Sequence, residues 1–399
     1  MRRLRSAGYE AVWAGGCVRD MLRGVQPKDY DVATSAHPRE VRKLFRRTLM
    51  VGAKFGVVVV LGPRTQVEVA TFRCDMEYQD GRRPQRVVYS DAEQDAQRRD
   101  FTINGMFYDP LEDKVIDYVG GKADLRRKIV RTIGEPRRRF AEDHLRMLRA
   151  VRFACSLGFV LEDNTAKAIR SQGKKIERIS VERIAEELLG ILQSAGRAEG
   201  IRLAGELGLL KVVLPEIDYV EAAERLEKLG RAGPAASLAC LLYGVDEKAG
   251  PSQAGKKASS ICRRLKLSNQ LVRQTGWLVG TALNLLAERS AGRELSLARL
   301  KKLMASDTFD ELLVLYKVVA PERTYRQLRR RSGQMDPKKI SPKALIGGEE
   351  LLAIGVRRGP RLGKCLAAVY EAQLNEIVKT KAQALEFAHE WLGRGRGSS

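Results

Sequence analysis

Gly15-Gly16-Cys17-Val18-Arg19-Asp20 and, a few residues on, Asp29-Tyr30-Asp31-Val32 set the architecture of this chain. A Gly-Gly turn lets backbone approach an anion closely, and a helix opening at Val18 aims its free N–H groups and positive dipole end at phosphate oxygens. Arg19 adds a forked cation, so Gly15, Gly16 and Arg19 are candidates for holding a triphosphate. Read as a strand, the second stretch sends Asp29 and Asp31 to one face and Tyr30 and Val32 to the other. An Asp-x-Asp pair alone is common in surface turns. Two hard oxygen ligands beside a phosphate cradle predict Mg²⁺-dependent nucleotidyl transfer.

Outward from this segment, residues 12 to 131 read as strands alternating with short helices, and the chain beyond Arg137 reads as almost entirely helical. The fold class is α+β. Lys54 to Leu61 is a buried-strand run, Gly62-Pro63-Arg64 a turn, and Thr65 to Phe72 an alternating strand, which together predict a hairpin. Glu68 is the one acid inside the second of these strands and makes a third candidate carboxylate for the metal, or a partner for a local arginine. The polar stretch from Asp75 to Arg86 reads as a mobile loop at the mouth of a site. Ile116 to Val119 is a further strand, closed by Gly120-Gly121. Amphipathic helices are predicted over Ala141 to Leu157, Val181 to Gln193 and Gly196 to Leu207. Arg323 to Lys339 reads as a basic connector, and Leu345 to Trp391 as a final helical piece before a Gly/Arg/Ser tail.

The 399 residues are 44% hydrophobic, enough for more than one core, and carry 72 Lys and Arg against 49 Asp and Glu, a net charge of +23. A polyanionic partner is the leading explanation, and nucleic acid is preferred to a lipid surface because no amphipathic anchor is evident. A basic enzyme that binds no nucleic acid is the plainer alternative. No apolar run of about 20 residues and no signal peptide is found, which predicts a cytoplasmic protein without a membrane segment. Six scattered cysteines without C-x-x-C pairs support neither a zinc site nor a disulfide framework. Three histidines, none in a His-Asp pair, argue against a histidine-ligated phosphohydrolase.

Three further constellations bear on chemistry. In Arg98-Arg99-Asp100-Phe101-Thr102-Ile103-Asn104, Asn104 could donate to and accept from a ribose hydroxyl, with Arg99 beside it; alternatively Asp100 simply caps a helix and the arginines are solvated. In Glu142-Asp143-His144-Leu145-Arg146, a helix makes Asp143 and Arg146 neighbours, either as an ordinary ion pair or as a reader of a base edge. A carboxylate accepts from an exocyclic amino group and a guanidinium donates to the adjacent acceptor, a pattern that cytosine and adenine offer and uracil and guanine do not. Arg149 and Arg152 rotate away from Asp143 on that helix and brace it or reach phosphate. Ser180 to Glu187 reads as a capped structural helix. Gly120-Gly121-Lys122-Ala123 lacks the spacing of a P-loop.

In this order Gly15 to Asp20, Asp29-Tyr30-Asp31, Arg98 to Asn104 and Glu142 to Arg146 resemble the class II tRNA nucleotidyltransferase and bacterial poly(A) polymerase family, over roughly residues 10 to 200. The resemblance implies a polymerase-β-like nucleotidyltransferase head (1–137), then an all-helical neck that recognises the base (138–200), body (201–335) and tail (336–399), arranged as a seahorse. It implies template-free addition of C, C and A to tRNA 3′ ends from CTP and ATP, with tRNA contacts on the body and tail. By motif, Asp29 and Asp31 hold Mg²⁺, Gly16 and Arg19 the triphosphate, Arg99 and Asn104 the phosphate or ribose side, and Asp143 and Arg146 the base edge. Arg149 and Arg152 match nucleotide-site positions too, against the rotational argument. The segment from Leu345 to Leu374 is similar to the tail of CCA-adding enzymes. Leu49 to Gly56 departs from their commoner pattern, which has a His before the last Gly, toward the poly(A) branch. A poly(A) polymerase, a split CC-adding or A-adding enzyme, and an idle RNA-binding protein are the alternatives.

Overall fold

The computed structural model describes residues 1–50, 56–63, 65–78 and 84–394, of which 75–78, 84–87 and 394 by their backbone alone. Two compact units result, Met1–Glu227 with Arg264–Leu267, and Lys228–Arg263 with Ser268–Ser399. The division falls within the segment 201–335.

In the first unit α1 (Arg2–Ser6) leads to β1 (Ala11–Ala14), α2 (Gly16–Leu22), β2 (Asp31–Thr34), α3 (Pro38–Leu44), β3 (Thr48–Leu49) and the hairpin β4 (Val57–Leu61) and β5 (Gln66–Thr71). A separate antiparallel ribbon follows, β6 (Arg73–Tyr78) and β7 (Pro84–Tyr89), then α4 (Ala92–Gln97), β8 (Phe107–Asp109), β9 (Lys114–Ile116), α5 (Gly121–Arg127) and β10 (Ile129–Val130). Seven strands form one sheet in the order β3-β4-β5-β2-β1-β8-β9, with β2 and β5 parallel and every other neighbour antiparallel. Its central strands are buried on both faces. Ala11, Val32, Val58 and Val69 pack with Leu4 and Val41 on one side, while Val12, Ala14, Ala33 and Phe107 pack with Phe72, Ala92 and Ala96 on the other. Period-two alternation thus feeds two apolar layers and fixes the register.

Three expectations change here. β2 begins at Asp31, so Asp29 precedes the strand and pleat alternation does not place it. α2 opens at Gly16 rather than Val18, with Gly15 at φ 76° as its cap. Of the predicted loop from Asp75 to Arg86, the described residues 75–78 and 84–86 are strand, with Asp75 opposite Val87 and Met76 opposite Arg86. Charge marks an exposed ribbon as readily as a loop, and Val87-Val88-Tyr89 supply the strand propensity. Asp80-Gly81 of that stretch, residues 51–55 of the Leu49–Gly56 motif, Arg64 of the first turn and the last five residues lie outside the described residues.

The unit continues with α6 (Pro136–Glu142), α7 (Arg146–Leu157), β11 (Val160–Leu161), α8 (Asp163–Gln172), α9 (Val181–Leu192), α10 (Arg197–Glu206), α11 (Leu210–Val213) and α12 (Tyr219–Lys228). β11 pairs in parallel with β10 and ties this helical part to the end of the sheet domain. The single helix expected over Ala141 to Leu157 is broken at Asp143, whose backbone is extended at φ −145°, ψ 105°. Its carboxylate accepts from the Leu145 N–H at 3.0 Å, the local side-chain bond by which aspartate competes with a helix. Asp143 therefore shares no helix face with Arg146, although the Arg146 N–H closes a turn onto the Asp143 carbonyl at 3.1 Å. Ser180 does stand at the N-cap of α9, but its side chain makes no capping bond.

The second unit is helical: α13 (Pro234–Leu242), α14 (Pro251–Arg264), α15 (Asn269–Ser290), α16 (Leu297–Met304), α17 (Phe309–Val319), α18 (Glu322–Gly333), α19 (Gly348–Ala353), α20 (Pro360–Leu374) and α21 (Lys381–Arg394). α14 and α15 cross in close contact, since a methyl at Gly255 would lie 2.7 Å from the Gly276 carbonyl oxygen. The expected basic connector is instead the helix α18 followed by a short 3₁₀ turn, because Tyr325, Leu328 and Ser332 recur on one buried face beneath the arginines. No helix among the described residues is long and apolar enough to cross a membrane.

Candidate active site

Strand register builds the acidic edge. Ala14 pairs with Asp31 across β1 and β2, and Asp31 pairs with Glu68 across the parallel β2 and β5, so the Gly15-Gly16 turn leaves β1 directly beside two carboxylates. Burial, then Glu68, push the Asp31 carboxyl above its ordinary range; Arg99 offsets this in part and Asp29 adds to it. Among the described residues no three carboxylate, imidazole or thiol groups close into a cage for an ion. Crowded carboxylates that repel one another yet do not enclose a site suit Mg²⁺, which takes one or two protein ligands and completes its shell with water and substrate phosphate.

Cations surround this edge. Gly15 holds a positive φ, and a methyl there would lie 3.0 Å from Nη1 of Arg99. The carboxylate of Asp95, almost fully buried in α4, accepts from Arg98 at 2.7 and 2.9 Å and from Arg99 at 2.9 and 3.2 Å. Burial would raise its pKa, but the two guanidinium groups outweigh that and hold it below the ordinary carboxylate value. One acid thereby fixes two arginines at the cleft.

A second relay starts at the turn. Arg19 grips Asp20 at 2.9 and 3.0 Å and donates to Asn104 Oδ1 at 2.7 Å; Asn104 donates to Asp100 Oδ1 at 3.1 Å. Asp100 Oδ2 accepts from Arg149 at 2.7 and 2.9 Å, and Glu187 of α9 takes Arg149 at 3.4 Å and Arg152 at 2.5 Å. Burial alone would raise the Asp100 carboxyl, but Arg149 and the Asn104 amide bring it down to about 2. Arg19, Arg149 and Arg152 stand 5.4, 5.3 and 4.6 Å from the Phe153 ring centre, in cation–π range.

Asp143 and Arg146 are both committed within the protein. Arg183 Nη2 donates to Asp143 Oδ2 at 2.8 Å. Arg146 donates to Glu142 at 2.8 Å, to the Arg139 carbonyl at 3.0 Å and to the Arg98 carbonyl at 3.1 Å. This leaves Arg146 its Nε–H and one Nη2–H, two donors side by side on the guanidinium fork.

A cleft of about 470 Å³ brings together Gly15, Gly16, Arg19, Asp31, Arg99, Asn104, Asp143, Arg146 and Arg149. Asp29, Glu68 and Arg152 are not among its walls: the two acids flank Asp31, and Arg152 sits behind Arg149 on Glu187. Sequence reasoning gave no role to Asp95, Arg183 or Glu187 and read Asp100 only as a helix cap. The usable signal was Glu187, an acid on the apolar face of α9 that demands a buried partner.

Residues 11–131 match the family model described as the poly A polymerase head domain, and residues 158–220 that described as a probable RNA and SrmB-binding site of polymerase A. The CCA-adding enzyme of Geobacillus thermodenitrificans is 36% identical, with 98% of this chain and 95% of that protein covered. That of Geobacillus stearothermophilus is 33% identical, with the same shares covered. The crystal structure of the Bacillus stearothermophilus CCA-adding enzyme in complex with CTP superposes with a TM-score of 0.77 at 28% identity, over 99% of this chain and 96% of that one.

Proposed function

Because the chain belongs to the CCA-adding enzyme family of nucleotidyltransferases, we propose that its cleft adds CCA to the 3′ end of tRNA, taking CTP and ATP without a template. The observation that carries this is the composition of one cleft: a Gly-Gly turn, Arg19 and Asp31 share it with Asp143 and Arg146. The first group suits a triphosphate and its metal, and the second suits a base that presents an amino group.

In this reading Asp29 and Asp31 hold Mg²⁺, with Glu68 tuning the Asp31 carboxylate from the next strand. Held there in a two-ion arrangement, Mg²⁺ would supply Lewis-acid chemistry that favours ionisation of the attacking 3′-hydroxyl and offsets charge on the departing pyrophosphate. Gly15 and Gly16 offer backbone N–H groups to the triphosphate, and Arg19 and Arg99 face its oxygens. Asn104 orients the ribose, Asp143 accepts from the base amino group and Arg146 donates to the neighbouring ring nitrogen or carbonyl. Arg149 serves the nucleotide from the cleft wall, and Arg152 holds Glu187. We also propose the functional division 1–137 head, 138–200 neck, 201–335 body and 336–399 tail, with tRNA bound by the last two. Six cysteines, all unpaired, suit the reducing cytoplasm.

The test supplies tRNA lacking its 3′ end, tRNA ending in C-C, or unrelated RNA, with each NTP in turn. Three nucleotides and then arrest are expected. A long A tract means poly(A) synthesis, CC or A alone a split enzyme, and no incorporation an RNA-binding protein without activity.

A further inference from the structure

We propose that Arg183, on α9, is a positioning residue for base choice: it holds the carboxylate of Asp143 in the one orientation that reads an amino group. The proposal rests on Asp143 facing the base edge. Asp143 stands between α6 and α7 on extended backbone, so no helical packing fixes its side chain. Two contacts do. Leu145 N–H binds Oδ1 at 3.0 Å, and Arg183, 40 residues along the chain, reaches Oδ2 at 2.8 Å and Oδ1 at 3.4 Å.

Acceptor bookkeeping then gives the specificity. A carboxylate has about four lone-pair sites; three are engaged by these contacts, which leaves one, on Oδ2. What enters there must donate a proton. A base presenting a carbonyl would set acceptor against acceptor there. Arg183 can impose this because α9 is itself anchored: Ile184, Ala185, Leu188 and Ile191 are buried. One turn on from Arg183, the carboxylate of Glu187 holds Arg149 and Arg152. A single helix thus orients both an acidic and a basic wall of the cleft. The Asp143–Arg183 pair is half-buried, which screens it less than a surface ion pair.

The test measures kcat/KM for CTP, ATP and UTP on tRNA lacking its 3′ end, for Arg183→Gln, Arg183→Lys, Asp143→Ala and the double variant Arg183→Gln/Asp143→Ala. Arg183→Gln should lower the CTP-over-UTP ratio by about tenfold or more, chiefly through KM for CTP, and Arg183→Lys should recover part of it. The double variant should discriminate no worse than Asp143→Ala, because Arg183 acts through that carboxylate. Thermal melts establish that each variant is folded, and Arg183→Lys, which keeps the charge, carries the comparison if the glutamine variant is not. An unchanged ratio in Arg183→Gln, or losses that add in the double variant, would overturn the proposal. Should Asp143→Ala keep full selectivity, the base-edge reading itself fails and this proposal falls with it.

Discussion

Asp100→Asn is the perturbation whose cost can be worked from the geometry. The carboxylate lies in the relay between Asn104 and Arg149, and its pKa of about 2 stands against an ordinary 3.8. At about 1.4 kcal/mol per unit, that difference amounts to about 2 kcal/mol of native-state stabilisation at neutral pH. The sign follows from the depressed folded value. The contribution is complete above the unfolded pKa of 3.8, shrinks as pH falls through that value, and is gone once pH passes below about 2. Asparagine keeps an acceptor for the Phe101 N–H and Asn104 but removes the charge that balances Arg149, so the variant should lose about 2 kcal/mol at pH 7 and roughly half of that at pH 3. Urea denaturation can be followed at Trp13, which lies 4.8 Å from Tyr30 and 5.4 Å from Tyr108 in ring-centre distance, with Trp277 and Trp391 replaced by Phe. A difference from the parent below about 0.5 kcal/mol at pH 7, or one that does not fall with pH, would refute the reasoning.

Two more outcomes are expected. Asp31→Ala should abolish nucleotide incorporation while leaving tRNA binding, read by filter retention, nearly intact, and chelation of Mg²⁺ should reproduce the loss in the parent enzyme; turnover by the variant would sink the metal assignment. Gly121→Ala places a methyl 2.3 Å from the Thr102 carbonyl oxygen and 2.7 Å from Met106 Cγ. It should destabilise the first unit by about 1–3 kcal/mol and raise KM for nucleotide, because Thr102 to Asn104 is the turn that presents Asn104. A parent-like melting temperature and KM would count against that link.

Much of the sheet domain was legible because its strands are short apolar or alternating runs and its turns carry Gly and Pro. The β4–β5 hairpin follows from that pattern, whereas the place of Glu68 opposite Asp31 is set by the parallel pairing of β2 with β5. What escaped has a common cause in contacts remote along the chain. Asp143 looked like one residue of a continuous helix, since Leu145, Leu148 and Val151 keep helical spacing, and nothing local announces that its carboxylate takes the Leu145 N–H and a guanidinium from α9. Asn104 was read as a free ribose contact, whereas in the structure Arg19 and Asp100 take one hydrogen-bond site at each end of its amide and leave one donor and one acceptor site. The arginines after Arg323 suggested a connector because charge density hid Tyr325, Leu328 and Ser332 on the buried face of α18. Local pattern specifies elements; pairing among charged side chains needs the fold.

The relay from Asp20 through Arg19, Asn104, Asp100 and Arg149 to Glu187 and Arg152 has a thermodynamic consequence. Long arginine side chains ordinarily surrender about 2 kcal/mol of rotamer freedom each when a ligand immobilises them. Here Arg19, Arg149 and Arg152 are already held, at the guanidinium edge by carboxylates and over the Phe153 ring, so that loss is incurred during folding. An incoming nucleotide meets donors whose directions are preset. Its binding entropy is then dominated by the nucleotide itself, and nucleotides of different base differ chiefly in the enthalpy of the contacts they complete.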